Sequence, residues 1–162
     1  MNILIQLAHP AHFHYCKNVI LYLQKEGHHI VIALTTKDML EQLVRDSRMD
    51  YVNVQPKQHR KTKIGYFCDM VMREIRILCF CIKHKVNILV GSTIEVSTIG
   101  WLLHKPSINI GEDDAIVVGK YIKAIKPFVD VRLTPTSCND GDIEETRPNA
   151  IISDYYSSLY NS

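Results

Sequence analysis

The chain has 162 residues, 46% of them hydrophobic and 22% charged, and a formal net charge of +2 at pH 7. This length and composition predict one globular domain with an ordinary hydrophobic core, and so small a charge gives no reason to expect nucleic acid as a partner. No apolar run reaches 18 residues, so no membrane span is predicted. The five cysteines include no C-x-x-C pair and no spacing typical of a metal site.

Apolar runs alternate with helical periodicities along most of the chain. This pattern predicts an α/β, Rossmann-like three-layer domain with a mainly parallel sheet of about six or seven strands, covered by helices on both faces. The predicted strands are 2–7, 29–34, 51–54, 87–91, 107–110 and 129–133. The first helix is expected to end at Gly27, a natural residue after a helix C-terminus, and Thr36 to open a short helix with Met39 facing inward.

Three imidazoles follow the first strand, at His9, His12 and His14. Open α/β sheets bind ligands where the carboxyl end of a strand meets a helix N-terminus. Histidines in place of glycines favour proton transfer or polar substrate contact over a dinucleotide cradle, and His9 is predicted as a general base. For His12 the plainer interpretation is a solvent-exposed loop residue. No carboxylate or cysteine joins the three locally, so we predict no metal site.

The helix predicted over 64–84 carries two apolar faces. The face expected to be buried, here the predicted buried stripe, comprises Ile64, Phe67, Cys68, Val71, Ile75, Leu78, Cys79 and Ile82. Outside it lie Tyr66, Met70, Ile77 and Cys81, with Arg73 among them, and the preceding loop holds Lys57, Arg60, Lys61 and Lys63. A basic loop beside an apolar face predicts a membrane-surface contact. The alternatives are a solvated loop, or a face covered by a second domain or a partner.

Polar residues end the fourth and fifth predicted strands. Ser92 and Glu95 form a candidate capping box, which explains Ser92 without any function, although the amides at Ser92 and Thr93 could also hold a sugar or phosphate group. Glu112 and Asp113 follow the fifth strand and are predicted to bind substrate hydroxyls or to orient a histidine. Helix capping is the alternative for this acidic cluster.

The chain loses its periodicity near residue 134. We therefore expect a domain over 1–135, a turn-rich linker over 136–149, and in 150–162 the start of a truncated second domain or a closing segment. The first predicted strand begins at residue 2 and so leaves no room for a cleaved leader. Together with the odd number of cysteines, this predicts a location in the cytoplasm.

The opening segment, 3–28, with its His-Pro-Ala-His-x-His motif at 9–14, resembles the glycosyltransferase-like domain-of-unknown-function 354 family. Members of that family resemble two-domain GT-B glycosyltransferases and UDP-N-acetylglucosamine 2-epimerases. Further matches lie at 105–110, 112–115, 127–130, 134–135 and 152–160, so the resemblance covers nearly the whole chain. The chain departs at 153–155, where the family tends to have a glycine-containing turn.

The resemblance implies two Rossmann-like halves with the active site in the cleft between them. The N-terminal half, which this chain matches, generally holds the acceptor, and the C-terminal half holds the nucleotide-sugar. By analogy, His9 takes the position of a base that deprotonates an acceptor hydroxyl. His12, His14, Ser92, Thr93, Glu112 and Asp113 are then the candidates for binding the acceptor or orienting His9.

The sequence therefore predicts the acceptor-binding half of an enzyme that transfers a sugar from a nucleotide-sugar to a sugar or lipid-linked acceptor. No metal or cofactor is required, and the chain alone is expected to be inactive or nearly so. The alternatives are half of an epimerase that acts on a nucleotide-sugar, and a binding or adaptor domain that recruits a partner through the face from Tyr66 to Ile77. The expected location is the cytoplasm, with peripheral contact at the inner face of the membrane.

Overall fold

The computed structural model describes residues 1–35, 39–54, 62–111 and 115–134. The chain divides into two compact units, of which the first is Met1–Asn87 and the second begins at Ile88. The predicted linker and the segment 150–162 lie outside the described residues.

The first unit alternates strands and helices. Its elements are β1 (Asn2–Leu7), α1 (Pro10–Lys25), β2 (His29–Leu34), α2 (Leu40–Asp46), β3 (Tyr51–Asn53) and α3 (Lys63–Lys83). β1 and β2 pair in parallel along their whole lengths, from Asn2 opposite His29 to Leu7 opposite Leu34. Five consecutive residues of each strand are buried, as expected of parallel strands that are covered on both faces.

The second unit continues the same alternation. Its elements are β4 (Ile88–Gly91), α4 (Ile94–Leu103), β5 (Ser107–Ile110), α5 (Ala115–Ile125) and β6 (Val131–Leu133). The strands of the first unit pair in parallel in the order β3-β2-β1, and those of the second unit pair in parallel in the order β4-β5-β6. The predicted α/β, Rossmann-like class is confirmed.

The ends of two helices can be compared with the prediction. Gly27 follows α1 with a φ of +81°, a conformation that glycine adopts without steric cost, and its amide donates to the Gln24 carbonyl at 3.0 Å. α2 begins later than predicted, with Met39 at its N-cap position, and the Met39 side chain is exposed rather than inward.

α3 packs with the face opposite to the one predicted. Ile77 is fully buried and Cys81 nearly so, although the pattern placed both on the surface. Ile64, Phe67 and Ile82, which belong to the predicted buried stripe, are 78%, 60% and 60% exposed. The predicted division of the two faces is therefore wrong, and Ile77 does not belong to a membrane or partner surface.

This inversion has a simple geometric reason. Ile75 and Ile77 lie about 200° apart around the helix axis, so α3 has apolar residues on two opposite sides. Periodicity shows that both faces exist but cannot choose the one that packs. Contacts with residues distant in the sequence hold the packed orientation: Arg76 Nη1 donates to the Val54 carbonyl at 3.3 Å, and Asn2 Nδ2 donates to the His84 carbonyl at 2.7 Å.

The other residues of the predicted surface divide into two groups. Met70 and Arg73 are only partly exposed on α3, and Lys63 and Tyr66 lie in the first turns of that helix. The loop cations Lys57, Arg60 and Lys61 lie outside the described residues. An adaptor surface running from Tyr66 to Ile77 loses its basis, because Ile77 is part of the core.

In the second unit, close packing around Gly100 predicts a specific cost of substitution. A Cβ added at Gly100 would lie 2.7 Å from Ser107 Cβ and 3.1 Å from the Lys105 carbonyl oxygen. Gly100→Ala is therefore expected to push α4 away from β5 and to lower the free energy of unfolding by about 1–3 kcal/mol. Urea unfolding measures this change.

Gly119→Ala is the matched control, because a Cβ there meets nothing within 4 Å among the described atoms. It is expected to leave the stability unchanged or to raise it by up to about 1 kcal/mol. Equal destabilisation by the two variants would contradict the packing explanation.

Candidate functional site

His9 joins the end of β1 to the start of α1. It is the N-cap residue of α1, with extended backbone, and its Nδ1 accepts a hydrogen bond from the Ala11 amide at 3.2 Å. The His12 amide donates to the His9 carbonyl at 3.0 Å. Because Nδ1 uses its lone pair as an acceptor, the neutral His9 ring carries its proton on Nε2.

His12 lies one turn further along, and its ring centroid is 6.0 Å from that of His9. It is half-buried in α1 rather than exposed in a loop, so the plainer interpretation of this residue is wrong. Its Nδ1 accepts from the Ala8 amide at 3.2 Å, which again places the neutral ring's proton on Nε2. Burial, with the charge of His9 as the smaller cause, lowers the pKa of His12 from 6.5 to about 4.

His14 has a different setting. It is exposed on α1, with its ring edge-on to Phe13 at 5.8 Å between centroids. The structure thus brings His9 and His12 together at the carboxyl end of β1 and leaves His14 on the helix surface. In its neutral form each of the two rings carries its proton on Nε2.

In the second unit, Ser92 and Thr93 follow β4, as predicted. The Tyr121 hydroxyl donates to the Ser92 carbonyl at 2.7 Å and accepts from Asn109 Nδ2 at 2.8 Å. Asn109 is fully buried and its Nδ2 also lies 3.5 Å from the Thr93 carbonyl. Burial is the main cause that raises the pKa of Tyr121 to about 12, so the hydroxyl stays protonated and can donate.

Helix α4 begins one residue later than the predicted capping box requires. Its N-cap residue is Thr93, not Ser92, and the Thr93 side chain makes no capping hydrogen bond. Glu95 is therefore the second helical residue and is nearly fully buried in the first turn, where the helix dipole favours a carboxylate. The capping-box prediction is wrong.

Sequence reasoning missed the network of Tyr121 and Asn109. The available signal was Asn109 itself, a polar residue between two isoleucines within a strand. A buried amide needs hydrogen-bond partners, so this position should have been read as part of a polar network. Glu112 and Asp113 lie outside the described residues.

Among residues 1–35, 39–54, 62–111 and 115–134, no group of three metal-ligating side chains is close enough to hold an ion. Within the same part of the chain, no helix is both long and apolar enough to cross a membrane.

Solved structures with a similar fold include glycosyltransferases and UDP-GlcNAc 2-epimerases. MurG of Acinetobacter baumannii matches with a TM-score of 0.70 at 15% identity, over 89% of this chain and 44% of MurG. The UDP-GlcNAc 2-epimerase of Neisseria meningitidis, bound to UDP-GlcNAc, matches with a TM-score of 0.69 at 14% identity, over 99% of this chain and 50% of the epimerase. The spinosyn rhamnosyltransferase SpnG matches with a TM-score of 0.65 at 15% identity, over 90% of this chain and 48% of SpnG.

The chain thus spans about half the length of the proteins it resembles. No protein-family model matches the sequence, and no curated protein is similar to it at a significant level. At these identities the likeness shows the fold alone, which is that of one Rossmann-like half of a GT-B glycosyltransferase or 2-epimerase.

The lowered pKa of His12 predicts a loss of stability in acid. The folded state keeps this ring neutral down to a pH of about 4, whereas the unfolded chain binds a proton near 6.5. Stability contributed by neutral His12 is therefore full above pH 6.5 and is lost as the pH falls toward 4. In urea unfolding at pH 7 and pH 5, His12→Gln should reduce the difference between the two midpoints. His14→Gln, at an exposed position, should not reduce this difference. An equal effect of the two variants would contradict the assignment of the acid sensitivity to His12.

The network in the second unit predicts a cost for removing one oxygen. Tyr121→Phe leaves the Ser92 carbonyl and Asn109 Nδ2 without this partner, and is expected to lower the free energy of unfolding by about 1–3 kcal/mol. Tyr22→Phe is the matched control, because Tyr22 is 62% exposed and should tolerate the change. Thermal unfolding of the two variants gives the comparison, and similar melting temperatures would argue against the network.

Proposed function

We propose that this chain forms the acceptor-side half of a glycosyltransferase-like enzyme, which transfers a sugar from a nucleotide-sugar to a hydroxyl acceptor. The observation that carries the proposal is coverage: nearly all of this chain aligns with about half of enzymes such as MurG and SpnG. SpnG has also been solved with thymidine diphosphate and with spinosyn aglycone, so both kinds of ligand occur on this fold.

The proposed reaction is a displacement at the anomeric carbon. An acceptor hydroxyl loses its proton to a base, its oxygen forms the new bond to the anomeric carbon, and the bond from that carbon to the diphosphate breaks. The nucleoside diphosphate leaves with the electron pair. A base is needed at the acceptor because a neutral hydroxyl is a weak nucleophile.

His9 is the proposed base, and its geometry sets a condition on that role. Its Nε2 already carries a proton in the neutral ring, since Nδ1 accepts from the Ala11 amide at 3.2 Å. To receive the acceptor's proton, His9 must either release the Ala11 amide from Nδ1 or shift its own proton to Nδ1. Either change breaks the cap of α1, so substrate binding would have to compensate for that bond.

The other predicted site residues take binding roles in the proposal. His12 stays neutral at pH 7 and is proposed to bind the acceptor. In the second unit, the loop at Ser92 and Thr93 offers backbone groups to a sugar or phosphate, held in place by Tyr121. His14, Glu112 and Asp113 are proposed to position the acceptor or to orient His9.

An epimerase half is the alternative, favoured by the match of 99% of this chain to a UDP-GlcNAc 2-epimerase. Transfer requires a second sugar or lipid, whereas epimerisation converts the nucleotide-sugar alone. A lipid-linked acceptor would bring the protein to the cytoplasmic face of a membrane. Peripheral contact there, through the basic segment that contains Lys57, Arg60 and Lys61, is part of the proposal.

The test uses the native gene product, purified with any polypeptide bound to it. It is incubated with UDP- and TDP-sugars, with and without a panel of sugar and lipid-linked acceptors, and the products are separated by mass and stereochemistry. Release of nucleoside diphosphate that depends on an acceptor supports the proposal. A converted nucleotide-sugar formed without acceptor assigns the epimerase alternative, and no turnover of any nucleotide-sugar overturns both.

Two variants at one position separate chemistry from folding. His9→Asn keeps a good N-cap acceptor for α1 but removes the imidazole, whereas His9→Ala removes both. If His9 is the base, both variants should lose at least about 100-fold in turnover with unchanged nucleotide-sugar affinity. Only His9→Ala should also lower the melting temperature. Undiminished turnover in His9→Asn would eliminate His9 as the base.

A further inference from the structure

The second unit has a pocket at the C-terminal end of α4. Its volume is about 510 Å³, and it is lined by Gly100, Trp101, His104, Lys105, Pro106 and Asp130. This volume falls within the range of roughly 300–1,000 Å³ that is usual for small-molecule sites. The pocket lies at the amino end of β5, whereas Ser92 and Thr93 follow the carboxyl end of β4, which is parallel to β5. It is therefore separate from the loop that the proposed function uses.

Trp101 gives this pocket an exposed aromatic wall. The residue is 52% exposed, and its ring meets the Phe128 ring edge-on, at 5.5 Å between centroids. The contact with Phe128 supports the indole without covering it. An indole in this setting offers a flat apolar surface, and its electron-rich face attracts the C–H groups of a ring that stacks on it.

The polar residues of the pocket bring both donors and acceptors. Lys105 contributes an ammonium group and His104 an imidazole, and both residues are exposed. Asp130 contributes a carboxylate, whose Oδ2 accepts from the Ser107 amide at 2.9 Å and from the Ser107 hydroxyl at 3.0 Å. These two bonds hold the carboxylate in one orientation, and a carboxylate has about four acceptor positions in all.

This mixture of charges argues against a charged ligand. An anion would lie beside the Asp130 carboxylate and the C-terminal end of α4, where the helix dipole is negative. A cation would lie beside the Lys105 ammonium group, and ion pairs with exposed groups contribute little in water. A neutral ligand with several hydroxyls meets neither cost, because each hydroxyl both donates and accepts. A sugar ring combines such hydroxyls with an apolar C–H face.

We propose that this pocket binds a pyranose ring of a carbohydrate, which stacks on Trp101 and forms hydrogen bonds with His104, Lys105 and Asp130. The ligand is neutral and two of its polar partners are exposed, so binding should be weak and reversible. The pocket is distinct from the proposed site of sugar transfer, and binding there requires no nucleotide-sugar.

The experiment uses the fluorescence of Trp101, which is the single tryptophan of the chain. Quenching by acrylamide is measured on the full gene product with cellobiose, maltose and chitobiose as probes, and Trp101→Phe gives the background signal. The expected result is saturable protection of Trp101 by at least one of the sugars. Glycerol is the control ligand, because it has hydroxyls but no ring to stack, and it should give no protection. In equilibrium dialysis, Trp101→Ala should no longer bind the protecting sugar.

Variants of the exposed polar residues test the pocket without disturbing the fold. His104 has a φ of +53°, a conformation that favours glycine, so His104→Gly should fold at least as well as the wild type. It should still weaken sugar binding by at least about threefold, as should Lys105→Met, because each variant removes one hydrogen-bonding group. Lys85→Gly is the matched control, since Lys85 has a similar φ of +49° but lies in the first unit, and it should bind sugar as the wild type does.

Each other outcome overturns the proposal. Absence of protection by all three sugars, or equal protection by glycerol, excludes recognition of a sugar ring. Protection by adenosine monophosphate or by phenylalanine, but not by a sugar, assigns the pocket to a charged ligand. Sugar binding that is unchanged in Trp101→Ala, or in both His104→Gly and Lys105→Met, takes place elsewhere on the protein. None of these outcomes depends on whether the sugar-transfer activity is found.

Discussion

The burial of β1 on both faces is the constraint on which the first unit depends. A strand without an exposed face needs hydrogen-bonded neighbours for its backbone and apolar cover on two sides. β2 supplies parallel pairing along all six residues of β1. The beginning of β1 is also fixed, since the Asn2 amide donates to Asn87 Oδ1 at 2.8 Å and its side chain donates to the His84 carbonyl.

The chemistry of the two histidines follows from the way this strand ends. The chain must turn from β1 into α1 within two residues, and the amides of this connection and of the first turn of α1 need acceptors. His9 and His12 both provide one, through Nδ1, to the Ala11 and Ala8 amides. This structural use occupies Nδ1 of each ring and places the proton of the neutral ring on Nε2.

In the second unit the main constraint is the burial of polar groups. Asn109 lies within a buried strand, and the Tyr121 hydroxyl is also largely buried; either would be costly without partners. Their mutual hydrogen bond, and the one from Tyr121 to the Ser92 carbonyl, offset part of that cost. The same bonds hold the loop after β4 in a fixed conformation, which is what a loop that contacts a ligand needs.

The sequence by itself determined the number, type and order of the described elements. Continuous apolar runs identify parallel strands that are buried on both faces, and Gly27 marks the end of α1 because few other residues adopt its positive φ. It also located the histidines at a strand end. The tertiary structure alone decided which face of α3 is buried, because both faces are apolar and the choice depends on contacts with distant residues such as Val54. It likewise decided that Thr93 rather than Ser92 occupies the N-cap position of α4, and that His12 is half-buried, since burial and hydrogen-bond partners depend on where other parts of the chain lie.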